Sequence, residues 1–118
     1  MEIATSVLIA IVALLHIYFL VLEMFLWDKP FGRKTFGLSA EYAKQSKTLA
    51  ANQGLYNGFL AAGLIWGLML GEAGISIKIF FLSCVVIAGI YGGLTVGKKI
   101  LLIQALPAAI ALVLILFG

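Results

Sequence analysis

The chain has 118 residues, 64% of them hydrophobic and 11% charged, with a formal net charge of +3. A soluble domain is about 45–50% apolar and about 25% charged, and a chain this short cannot hide so much apolar surface in a water-soluble core. The basic excess forms no stripe with interleaved aromatics, so nucleic acid is not an expected partner; the lipid bilayer is.

The first apolar run extends from Ile3 to Trp27, broken by His16 and Glu23. Its leading end carries Glu2 and no Lys or Arg, and no small-x-small site follows it, so it reads as a retained helix rather than a cleaved signal. The segment at about 28–49 holds Lys29, Arg33, Lys34, Lys44 and Lys47 against Asp28 and Glu41. Pro30 and Gly32 are expected to break the chain there. Ser39 then caps a helix that is polar through Lys47 and runs into the second apolar run. Phe31, Phe36 and Leu38 suit the membrane interface.

Three more apolar runs follow, at about 50–71, 75–96 and 100–117. Each of the four has close to the ~20 residues that cross a hydrocarbon core as a helix, and lone spans in lipid must satisfy their own backbone. The expected fold is therefore all-α: one polytopic four-helix membrane bundle occupying 1–118. Lys98 and Lys99 lie between the third and fourth runs. With the basic 28–49 loop, they place both links on the cytoplasmic side by the positive-inside rule. Both termini then face outward, an N-out/C-out arrangement with a long first cytoplasmic loop. A multi-pass protein of the bacterial inner membrane is the expected location.

Polar groups inside such spans are costly and by default functional. They are His16, Glu23, Asn52, Gln53, Tyr56, Asn57, Tyr91, Thr95 and Gln104. All but His16 fall in the cytoplasmic half on this topology. Residues 52, 53, 56 and 57 span an arc of about 140° at the helical 100° per residue. The pattern suggests a cytoplasm-facing cavity floored by His16 and lined by Glu23, Asn52, Gln53, Tyr56, Asn57, Tyr91 and Gln104. A small lipophilic or amphipathic ligand would bind there. If chemistry occurs, Glu23 and His16 form an acid/base pair and Tyr56 or Tyr91 donates a proton. One His and one Glu are too few to hold a metal, and no metal site is expected. Cys84, the single cysteine, reads as an apolar filler.

Gly54 and Gly58, then Gly63, Gly67 and Gly71, then Gly89, Gly93 and Gly97 form small-residue rows. These predict close contacts between the second and third spans, and a homo-oligomer. Pro107 is expected to kink the last span near Ile103.

The stretch HIYFLVLEMFLW from His16 and the segment AANQGLYNGFLAAGL at 50–64 resemble a family of small bacterial inner-membrane proteins of the domain-of-unknown-function 1304 type. That resemblance implies a four-span protein and no particular activity. The layout is also similar to the MAPEG (membrane-associated eicosanoid and glutathione metabolism) superfamily, whose members are trimers binding glutathione and a lipophile between subunits. Asn52 matches that superfamily's Asn, Tyr56 its Tyr, and Tyr91 a tyrosine late in its third span. Thr48 and Leu55 stand where its Arg and Glu would be. The resemblance implies glutathione or another thiol as cofactor and a trimer, with a dimer the alternative. Two other readings stay open: a proton-coupled multidrug exporter using Glu23, and a non-catalytic membrane scaffold.

Overall fold

The computed structural model describes residues 2–118. Among them are five α-helices and no strand: α1 (Glu2–Met24), α2 (Pro30–Phe36), α3 (Ala40–Met69), α4 (Ile75–Thr95) and α5 (Lys98–Phe117). A short 3₁₀ turn, Gly71–Gly74, leads into α4. Three segments are long and apolar enough to cross a membrane: Glu2–Met24, Gly71–Thr95 and Lys98–Phe117. Helix α3 is the longest, at 30 residues. Its polar positions up to Asn57 dilute an otherwise apolar second half.

Two local expectations need correction. Pro30 starts a helix instead of ending one: it stands in the first turn of α2, where its missing N–H is no loss and its fixed φ is already helical. Gly32 is no turn residue either. It lies buried within α2, and a Cβ there would overlap the carbonyl oxygen of Leu26. Ser39 behaves as expected: its Oγ accepts from the Tyr42 N–H at 3.1 Å at the start of α3.

The chain divides into two compact units, Leu15–Phe59 and the remainder on either side of it, from residue 14 backwards and from Leu60 to Gly118. The flanking unit is built around Ile9, Val12 and Ala13 of α1, Leu64 of α3, Leu82 and Val85 of α4, and Ala108 and Ala111 of α5. Between apolar helices in lipid the hydrophobic effect offers little, so close van der Waals packing must hold them. Small residues supply the closeness. A Cβ on Gly63 would run into the Phe81 ring, and one on Gly67 would come within 2.8 Å of Lys78 Cγ, so α3 and α4 meet closely. The row on α4 instead faces α5. A Cβ on Gly89 would lie 2.6 Å from both N and Cβ of Ala105, and one on Gly93 would lie 2.8 Å from Leu101 Cβ.

The segment of α5 that Gly89 touches is a π-helical turn, Leu101–Ala105, in which the Leu106 N–H donates to the Leu101 carbonyl. Pro107 follows after Leu106 and cannot donate to the carbonyl one turn back. The widened turn before it is how the helix absorbs that loss.

Gly63, Gly67, Gly89 and Gly93 thus make close contacts within the chain, whereas a Cβ on Gly71 or Gly97 would meet nothing within 4 Å. One of these contacts can be tested through its partner. Gly63→Ala is expected to cost about 1–2 kcal/mol, and adding Phe81→Leu should recover most of the loss, because the obstacle is a side chain. Stability in detergent, followed by denaturant titration, reads both.

The Leu15–Phe59 unit is packed around Leu22, His16, Ala43 and Ala50. Trp27 Nε1 donates to Ser46 Oγ at 2.9 Å, and its ring meets that of Phe36 at 5.0 Å. Lys47 Nζ lies 3.1 Å from Asp28 Oδ2. The Lys47 ammonium holds the Asp28 carboxyl below the usual carboxylate range. The pair is exposed and contributes little at neutral pH. A depressed carboxyl gives stability above its unfolded value and loses it as the pH falls through its folded value. Emission from Trp27, in a chain carrying Trp66→Phe, should therefore stay constant down to about pH 5. It should change only at lower pH, and Asp28→Asn should abolish that step.

Candidate functional site

The site begins with the spacing of two residues on α1. His16 and Glu23 are seven apart and share a helix face. Opposite Glu23 in the Leu15–Phe59 unit stands the middle of α3, and Gly54 sets how near it comes. A Cβ on Gly54 would lie 2.6 Å from Met24 Cγ, 3.1 Å from Glu23 Cβ and 3.2 Å from the Leu20 carbonyl oxygen. Asn57, three residues on and on the same face, is thereby brought against α1. Its Nδ2 donates to Glu23 Oε1 at 2.5 Å.

Burial makes this bond consequential. Asn57 is 8% exposed and His16 is completely buried, while Glu23 is half-buried. The His16 ring stands edge-on to Phe19, with centroids 5.4 Å apart. An amide and a carboxyl at the depth of an apolar helix would each cost several kcal/mol unpaired, and each answers the other. The bond uses one carboxyl oxygen of Glu23 and one amide hydrogen of Asn57. It leaves the second carboxyl oxygen and the Asn57 amide oxygen as groups that can meet a polar atom of a ligand.

The other expected residues fall elsewhere. Asn52, Gln53 and Tyr56 are exposed, Tyr56 to 56%. The 140° arc expected on α3 exists as a sequence pattern, but only its Asn57 edge turns toward α1, because Gly54 fixes which side of α3 is pressed there. Tyr91 belongs to the other compact unit and is 70% exposed. Gln104, also in that unit, is half-buried in the π-helical turn of α5. Within the Leu15–Phe59 unit, the contact the structure makes between expected site residues is that of Glu23 with Asn57, and His16 is buried in the same unit. Thr95 bonds back to its own helix, its Oγ1 donating to the Tyr91 carbonyl at 2.7 Å.

The helix ends that carry Glu2 and Glu72 read in the sequence as almost wholly apolar. A cavity of about 350 Å³ lies there, lined among others by Glu2, Thr5, Ser6, Glu72 and Lys78. Lys78 Nζ donates to the Gly71 carbonyl at 3.1 Å. The available signal was the pattern Glu2, Thr5, Ser6, which puts three polar groups on one face of the first two turns of α1.

A family model described as "Protein of unknown function (DUF1304)" matches residues 10–116. The chain belongs to the DUF1304 family. This DUF1304 protein is similar to the "Uncharacterized protein YpaA" of Lactococcus lactis subsp. lactis (strain IL1403). The two are 35% identical over 115 residues, which cover 96% of this chain and 97% of the relative. No solved structure matches it. The match runs from within α1 nearly to the end of α5, so the Glu23–Asn57 pair and the whole Leu15–Phe59 unit fall inside the family's own extent.

Proposed function

We propose that this DUF1304 protein is a four-span protein of the bacterial inner membrane, N-out/C-out, that binds a small amphipathic or lipophilic molecule at the Glu23–Asn57 pair. The carrying observation is a half-buried carboxyl within an apolar helix, bonded through one oxygen to a buried amide of the next long helix. A residue of that kind is costly in lipid, and a ligand with one polar group and an apolar body would complete it. The remaining span, second in chain order, is the last two-thirds of α3, from about residue 50. The basic residues of 28–49 and Lys98 and Lys99 support the orientation.

Exposure of Asn52, Gln53 and Tyr56 along α3, continuous with Asn57, supports a homo-oligomer in which a second copy covers this polar strip. A trimer is the MAPEG-like form of that reading, with glutathione or another thiol as its narrower ligand class. In it, His16 and Glu23 would act as acid and base and Tyr56 or Tyr91 as donor toward the ligand.

Native mass spectrometry of the protein released gently from detergent tests the proposal. The expected result is an oligomer retaining a small molecule, with retention lost in Asn57→Ala. A monomer carrying nothing, or a ligand held equally by wild type and Asn57→Ala, would overturn it. Proton-coupled efflux abolished by Glu23→Gln would instead assign the carboxyl to transport.

A further inference from the structure

We propose that α2 and the turn before it form a docking site for the phosphate of an anionic lipid headgroup. The segment follows α1 after only five residues, Phe25 to Lys29, so it emerges where a membrane-crossing helix meets the headgroups. Trp27 in that turn is of the type that favours this depth.

The segment is fixed rather than loose. Gly32 is pressed against the Leu26 carbonyl, and Phe36 packs on Trp27, which is tied in turn to Ser46 on α3. The far end closes with Gly37 in the left-handed region at φ 66°. The Gly37 N–H donates to the Lys34 carbonyl there, and the Leu38 N–H to the Arg33 carbonyl. This is a helix stop that favours glycine.

What the mount presents is cationic and apolar together. With Gly32 turned inward, Lys34 points away from it, about 160° round the helix. Phe31, 55% exposed, and Arg33 flank Lys34 on either side. The nearby acid Asp28 is paired with Lys47 and also feels Lys29, and no ion pair to it is formed by Arg33 or Lys34 among the described residues. The Nε of Arg33 is shielded from solvent although the residue is partly exposed. That Nε has no hydrogen-bond partner among the described residues, and the guanidinium's fork of donors is of the kind that meets a phosphate. Phe31 beside Lys34 fits a partner with a charged head and an acyl body, and so a lipid.

The test reconstitutes the full chain in vesicles holding equal amounts of phosphatidylglycerol and phosphatidylcholine. Native mass spectrometry then counts the lipids each protein carries out. Wild type is expected to retain phosphatidylglycerol preferentially. The double variant Arg33→Gln/Lys34→Gln should lose about 20-fold of that preference, roughly fivefold for each surface charge removed. Lys44→Gln, on α3, should leave the preference intact. Equal retention of both lipids by wild type would overturn the proposal. So would an unchanged double variant, an equal loss in Lys44→Gln, or complete displacement by inorganic phosphate.

Discussion

Replacing Gly89 by leucine is expected to destabilise the protein in detergent by about 3 kcal/mol or to prevent its folding. The reason is where the new side chain would go. A Cβ at this position meets N and Cβ of Ala105 at 2.6 Å and its Cα at 2.8 Å. Backbone atoms cannot swing aside as the Phe81 ring can beside Gly63. Those atoms also close the π-helical turn that prepares α5 for Pro107, so moving them disturbs the backbone bonding of a span with no water to repair it. Gly89→Ala should cost about half as much. Adding Ala105→Gly removes one of the obstructing atoms and leaves the other two, so it should restore only part of the loss. Denaturant titration of the four chains measures this; full rescue would show that α5 slides freely against α4.

Breaking the bond between Glu23 and Asn57 should have the next largest effect. Glu23→Ala leaves a nearly buried amide without its acceptor, at a cost of about 2 kcal/mol. Asn57→Ala strips a half-buried carboxyl of its donor, at a similar cost. The double variant should cost less than the sum, with a coupling of about 1 kcal/mol, within the range for paired polar groups between membrane helices. Glu23→Gln keeps an acceptor for Asn57 and should be within about 1 kcal/mol of wild type. That makes it the better variant for ligand retention, since it alters the carboxyl without emptying the contact. Additive losses in the cycle would show that the bond does not join the two helices energetically.

Much of the helix layout was legible from apolar run length, because a segment that must satisfy its own backbone in lipid has few alternatives. Ser39 was legible for a local reason: its hydroxyl needs only the N–H three residues on. The start of α2 was not, since Pro30 is equally at home in a turn and in a first helical turn. Only the carbonyl of Leu26, which Gly32 must clear, decides in favour of close packing. The glycine rows predicted close contacts between the second and third spans; Gly63 and Gly67 do bring α3 against α4, whereas Gly89 and Gly93, on the third span, turn to α5. The candidate site was legible in its members on α1 and less so on α3. Periodicity gives the width of a polar arc but not its rotation, and Gly54, a residue without a side chain, sets that rotation.

The division of the chain also bears on how it is made. Leu15–Phe59 is one uninterrupted stretch, while the other unit joins the two flanks of the sequence. A ribosome reading from the N-terminus has therefore delivered every partner of the Glu23–Asn57 bond, the Gly54 seat and the α2 clamp by the time Phe59 emerges. Ile9, Val12 and Ala13 must wait for α4 and α5 before their own packing is complete. The hairpin carrying the carboxyl is thus equipped to assemble early in synthesis, before α4 and α5 have been made.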